Sequence, residues 1–331
     1  MNLFEQQKTN RRKTIVLILG VTLFLLILGF GFDLFMVGAD PSYIFQNGSI
    51  PYPIGTLTAL FISLVTSSYS YFYGDKLVLS SCGAISLDEK GNKDLSERQI
   101  INIVDEMKIA SGLPRPKLYI IEDLDPNAFA TGRDPSHASI VVTRGLIQKL
   151  NREELEGVIS HEMSHIRNYD IRLMSVMAAL VGAIVLLSDW TRRITFGRRR
   201  KSSSSGRKGS PVITIFLVIW LILIILAPLI GQIMALCVSR KREYLADASG
   251  AELTRNPLGL ATALRKISEA VDPTKSIKRG TAHLCIEDPL GRSVDQKRGY
   301  WADLLATHPP IQERIHRLNE MGYLYSEKTG Q

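Results

Sequence analysis

Two histidines four residues apart, His161 and His165, enclose an acid, Glu162. On a helix that spacing is about one turn, so both imidazoles reach a single point and the carboxylate lies beside it. A His-Glu-x-x-His stretch on a helix is the arrangement of zinc proteases: two ligands and a general base. Catalytic zinc takes three protein ligands and keeps one position for water. Glu243 is the first candidate for the third ligand, because Asp247 follows one helical turn later on the same face. Zinc-bound histidines hand their second ring N–H to a carboxylate, a part Asp247 suits for His161. His283, His308 and His316 compete for the ligand position, and a surface pairing of Glu243 with Arg240, Lys241 or Arg242 is the reading that needs no metal. The metzincin pattern is excluded, since Asn168-Tyr169-Asp170 stands where a glycine and a third histidine would follow. Peptide hydrolysis also needs a donor for the oxyanion. His308, before the rigid Pro309-Pro310 turn, and Arg314, on the helix after it, are the candidates.

These residues need elements to hold them. Asn151 with Glu154 forms a capping box that starts a helix through His165, with Leu155, Val158, Ile159 and Ile166 as its buried stripe and the histidines on its flank. Upstream, a capping box at Ser96 and Gln99 opens a helix with Ile100, Ile103, Val104 and Met107 at helical spacing, closed by Gly112. Pro114 and Pro116 lead into a strand, Lys117 to Ile121, and a β-rich run follows at Ser139 to Thr143. Downstream, Leu258, Ala261, Leu264 and Ile267 predict one helix, and Ile311, Ile315 and Leu318 a last amphipathic one.

The 331-residue chain is 45% hydrophobic, with the apolar residues gathered into long runs. Thr14 to Phe32 is nineteen residues without a charge, long enough to span a bilayer. No small-x-small cleavage site follows it, which favours a retained membrane helix over a signal peptide. Ile54 to Tyr73 is a second uncharged run, with Tyr69, Tyr71 and Tyr73 placed as interfacial anchors. Lys8, Arg11, Arg12 and Lys13 precede the first run, and residues 33–53 carry no Lys or Arg, so the N-terminus and residues 75–170 are expected in the cytoplasm. A fifteen-residue run, Leu173 to Leu187, and a longer one, Val212 to Val238, flank a loop with eight basic residues between 192 and 208. Whether this later pair crosses the membrane stays open, because a crossing puts the basic loop outside. The net charge of +8 comes largely from residues beside these runs, which argues for a lipid surface and against nucleic acid. Three cysteines, Cys82, Cys237 and Cys285, suggest no disulfide framework.

The chain resembles the HtpX-type membrane metalloproteases, relatives of the CAAX prenyl proteases. Four stretches carry the likeness: Asn127 to Gly132, Glu153 to Asp170, Ser239 to Thr254, and Ala306 to Ile315. The resemblance implies a mainly α membrane protein with a small β element, a gluzincin-like zinc-peptidase core, up to four hydrophobic membrane helices and a cytoplasmic active site in the cell membrane. It puts one zinc ion on His161, His165 and Glu243, makes Glu162 the base, and gives His308 and Arg314 to the transition state. Asn127, Ala128, Phe129 and Ala130 resemble the family's substrate-binding edge strand, on which a peptide adds by main-chain bonding. The implied substrates are misfolded or damaged membrane proteins. A CAAX-type processing protease, or a holdase or scaffold with structural zinc, are the alternatives. The chain then divides into a membrane hairpin (1–74), a cytoplasmic catalytic part (75–170), a hydrophobic hairpin with its basic loop (171–238) and a second catalytic part (239–331). Oligomeric state is not read from the sequence.

Overall fold

The computed structural model describes residues 3–36, 53–91, 93–180, 240–270, 284–287 and 309–329. The basic loop at 192–208, the run at 212–238 and the end of the run at 173–187 lie outside the described residues.

The chain begins with two long helices, α1 (Leu3–Met36) and α2 (Ile54–Ser81). Among the described residues one helical stretch, Gln7–Gly31, is long and apolar enough to cross a membrane. The second run is a continuous helix too, but its serines and threonines keep it below the same measure of hydropathy. By contact pattern the chain forms two compact units. One comprises residues 14–70 and 180–234, and within it the Asp33 carboxylate accepts the N–H groups of Gly55 and Thr56 at 2.5 and 2.7 Å. Those donors belong to the first turn of α2, where no intrahelical acceptor exists, so a residue of α1 caps α2.

The other unit comprises residues 1–13, 71–179 and 235–331 and holds a four-stranded sheet. Its strands are β1 (Ile85–Ser86), β2 (Lys117–Ile121), β3 (Ala128–Gly132) and β4 (Ala138–Thr143), in the order β1-β2-β4-β3. β2 and β4 run parallel with Tyr119 opposite Val141, and β3 lies antiparallel on β4 with Ala130 opposite Ile140. β3 is therefore an edge strand of the sheet. The helix α3 (Leu95–Ser111) packs alongside and ends at Gly112, whose φ of 68° provides the left-handed cap. Its capping box differs from the expected Ser96 and Gln99. Asp94 is the N-cap and Glu97 its reciprocal partner. The buried Glu97 carboxylate also takes hydrogen bonds from Lys90 at 2.5 Å and Arg144 at 2.8 Å, which fixes the helix start two residues earlier.

After the short α4 (Arg144–Lys149) comes the central helix, α5 (Arg152–Arg167), opened by the Asn151–Glu154 capping box. Leu155, Val158, Ile159, Met163 and Ile166 of α5 are fully buried, each side chain contributing about 1.5–3 kcal/mol by removal from water. Tyr169, at φ 58°, breaks the helix, and α6 restarts at 170 and is described to 180. Among the described residues of this unit, three more helices follow: α7 (Arg240–Thr254), α8 (Pro257–Ser268) and α9 (Ile311–Thr329). α5 contacts α3, α7, α8 and β3. Enclosure on these sides buries both histidines, which the sequence had set on the flank of the helix beside its apolar stripe.

Candidate metal centre

The geometry starts from α5. One helical turn separates His161 from His165, and their rings meet edge to face at 86° with the two Nε2 atoms 3.2 Å apart. α7 supplies Glu243, whose carboxylate oxygens stand 3.8 Å from His161 Nε2 and 3.6 Å from His165 Nε2. One ligand atom from each of the three residues lies within 4.8 Å of the others, and all three side chains are buried. The side chains come together because α7 crosses α5 very closely. A Cβ on Gly250 would meet His161 N at 3.0 Å and Ser160 Oγ at 3.1 Å.

Behind each histidine stands a carboxylate. Asp247, one turn after Glu243, has Oδ1 3.0 Å from His161 Nδ1. Asp170 has Oδ2 3.0 Å from His165 Nδ1. Spacing pointed to Asp247 and missed Asp170, because the pairing with His165 exists only where Tyr169 breaks the helix. Arg314 clamps Asp247 with Nε on Oδ2 at 2.8 Å and Nη2 on Oδ1 at 2.7 Å, and its Nη1 donates to the Ile286 carbonyl at 2.9 Å. Arg242, the neighbour that could have neutralised Glu243, instead reaches Asp170 at 3.3 Å. His316 is exposed and pairs with Glu320 on its own helix, away from the site. His283 and His308 lie outside the described residues.

Glu162 sits against the edge strand, and the Ala130 N–H bonds to its carboxylate. Burial, joined by the charge of Glu243, pushes the Glu162 carboxyl up to about 7, against the pull of His165 and Arg314. Its Oε2 has no hydrogen-bond partner among the described residues. On the same strand, Ala128 O accepts the Ile286 N–H at 2.9 Å, and the Asn127 amide donates to Glu287 O at 3.1 Å. Ala128 and Ala130 thus turn main-chain groups away from β4. Phe129 is buried in the apolar cluster with Val78, Val141 and Met174.

A metal ion fits this donor set. With both Nδ1 atoms directed at carboxylates, both Nε2 atoms point to one spot beside the Glu243 carboxylate, 3.2 Å apart, where either one proton shared between the rings or a metal ion in its place can sit. The separation is also close to the roughly 3.3 Å edge of a tetrahedron built from zinc–nitrogen bonds. The electrostatics favour positive charge at this spot, and a metal ion would bind by displacing the His165 proton. Burial alone would drive the His165 proton off, yet Asp170, Glu243 and Glu162 outweigh it and push the ring up to about 9. For His161 burial prevails over Asp247 and lowers its pKa. Asp247 is likewise disfavoured as an anion by burial, but the Arg314 charge and hydrogen bonds more than compensate and hold its pKa below the usual range.

A buried acid between two helix-borne histidines, with a carboxylate from α7 as the third candidate ligand, defines a metallopeptidase site. The chain belongs to peptidase family M48, whose model matches residues 94–322. Among similar proteins, the "Protease HtpX homolog" of Thermoanaerobacter pseudethanolicus is 44% identical, covering 96% of this chain and 98% of that protein. The protein of the same description from Caldanaerobacter subterraneus subsp. tengcongensis is 43% identical over the same shares. That from Listeria monocytogenes is 40% identical over 96% of this chain and all of that protein. The crystal structure of S. mikatae Ste24p aligns over 95% of this chain and 67% of that one, at 19% identity and a TM-score of 0.44. Family and apolar N-terminal helix together make this chain a membrane metalloprotease, dependent on a metal ion.

Proposed function

We propose that the protein is a zinc endopeptidase that hydrolyses misfolded or damaged membrane proteins, with its site on the cytoplasmic face of the cell membrane. The observation that carries the reading is the buried Glu162 carboxylate beside the cluster of His161, His165 and Glu243, on the helix that bears both histidines. A closed structural zinc site needs no such acid. Zinc held by those three residues supplies Lewis acidity toward a water and the scissile carbonyl. Glu162 takes a proton from the attacking water and returns it to the leaving amine. His308 and Arg314 serve the developing oxyanion. For Arg314 this means that Nη1 exchanges its bond to the Ile286 carbonyl for the oxyanion, while Asp247 keeps the guanidinium in place. The substrate adds as an extended strand at the outer edge of β3, along Asn127 to Ala130, beginning at Ala130 beside Glu162 and displacing the Ile286 N–H from Ala128 O where it continues.

Replacing Glu162 by Gln separates catalysis from metal binding. Cleavage of an unfolded membrane-protein substrate should fall roughly 10²–10⁴-fold, the usual contribution of a general base. Bound zinc, measured by elemental analysis, should stay near one per chain. Undiminished proteolysis in Glu162→Gln would sink the mechanism.

A further inference from the structure

The site is gripped from a place that its chemistry does not require. Asn10, near the start of α1, is 2% exposed, and its side-chain nitrogen donates both to the Asn168 carbonyl at 3.0 Å and to Asp170 Oδ1 at 2.6 Å. An amide nitrogen has two hydrogens, so each bond has its own. The other oxygen of Asp170 is the one on His165 Nδ1. Asp170 therefore has its two oxygens divided, one toward the metal-facing ring and one fixed by Asn10 with help from Arg242 at 3.3 Å.

We infer that Asn10 is a positioning residue for the metal centre: it orients Asp170, and through it the His165 ring. The inference rests on the reading that His161, His165 and Glu243 hold the metal. Asp170 follows a helix break, so its backbone alone does not fix the carboxylate as a continuous helix fixes Asp247. It also lacks a bidentate arginine, since Arg242 reaches only Oδ1 and at longer range. The 2.6 Å bond from Asn10 is thus the shortest restraint on Asp170 among the described residues. Its neighbour one turn earlier provides the contrast. Gln7 donates to the Arg167 carbonyl at 3.0 Å, and Arg11 stacks over the Tyr169 ring at 5.3 Å. Those two contacts hold the end of α5, where carbonyls have no intrahelical donor, but neither touches Asp170. Of the three α1 residues, Asn10 alone connects to a group behind a metal ligand.

The test uses the full-length protein in detergent, stripped of metal and titrated with zinc against a fluorescent chelator. Asn10→Leu keeps the branched shape and removes the donor; Gln7→Ala removes only the helix-end contact. Asn10→Leu should weaken zinc binding roughly 10-fold or more, the range for groups that orient a ligand. Gln7→Ala should stay within about twofold of wild type, a change too small to be a loss of ligand orientation. Metal-free melting temperature, measured alongside, reports what α1 docking contributes to the fold whatever the metal does. If Asn10→Leu does not fold, Asn10→Ala is read in the same way. Wild-type zinc affinity in the Asn10 variant, or equal weakening by Gln7→Ala, overturns the inference. Failure of the wild type itself to bind zinc overturns the metal-site reading first, and the two failures are told apart on that point.

Discussion

Each metal-facing histidine has a carboxylate behind it, and the two carboxylates are secured by different means. Asp247 is held by the fully buried Arg314 through two parallel hydrogen bonds, the geometry that gives an arginine–carboxylate pair its directional strength. Asp247→Asn replaces a charged acceptor with a group that offers either an oxygen or an NH₂ to His161, and leaves the buried guanidinium short of its partner. Zinc affinity should fall about 10–100-fold, read by chelator competition. Melting should also drop, since breaking a buried ion pair costs about 3–5 kcal/mol. Zinc affinity within twofold of wild type would show that Asp247 does not set the His161 ring. His161, Glu162, His165, Glu243 and Asp247 were all legible because each pairing follows helical spacing within one helix. Asp170 was not: its partnership with His165 depends on the left-handed Tyr169 turn, which nothing in Arg167-Asn168-Tyr169-Asp170 announces.

Helices bring these residues together only where their surfaces allow it, and the decisive surface is α7 against α5. A glycine inside a helix costs about 0.5–1 kcal/mol relative to alanine, so Gly250 in the interior of α7 asks for a reason. The reason is the 3.0 Å gap that a Cβ would leave to His161 N. Gly250→Val adds a branched side chain to that contact and must push α7 outward, carrying Glu243 and Asp247 away from the histidines. Zinc affinity and melting temperature should fall together, with zinc loss of roughly tenfold or more as the third ligand withdraws. A valine variant with unchanged zinc affinity would mean that the two helices are not held at van der Waals contact. No periodicity argument singles out Gly250, since it is one more small residue in Ala246-Asp247-Ala248-Ser249-Gly250-Ala251. Strands β2 and β4 and the α5 capping box were readable from local sequence, whereas β3 came only with the family resemblance and β1 was not read. The start of α3 was misread because two overlapping patterns fit, Asp94 with Glu97 and Ser96 with Gln99. Arg144, far along the chain, decides between them by bonding Glu97.

At the scale of the whole chain, a metal held by His161, His165 and Glu243 would join two segments that the sequence keeps far apart. His161 and His165 belong to α5, Glu243 to α7, and residues 181–239 separate the described parts on either side. The reading of that interval as apolar runs around a basic loop concerns residues outside those described, and among the described residues one helical stretch, Gln7–Gly31, meets the measure of length and hydropathy for a crossing. The apolar run of α1 was legible as a candidate membrane helix and its base as a basic flank; the hold of that base on Asp170 was not, because contacts across some 160 positions leave no trace in local pattern. The metal's effect on stability is therefore a property of the assembled chain and not of one helix. A ligand that binds only the folded form stabilises it by about 2.7 kcal/mol at a hundred times its dissociation constant. For a chain of 331 residues that corresponds to a melting shift of about 4 °C. Chelator added to zinc-loaded wild type should lower the melting temperature by that amount, and excess zinc should restore it. In Glu243→Ala the shift should shrink to near zero, because the α7 side of the tie is gone while α5 keeps both histidines. A full chelator response in that variant would require the ion to be held without α7, and a third ligand would have to be sought outside Glu243.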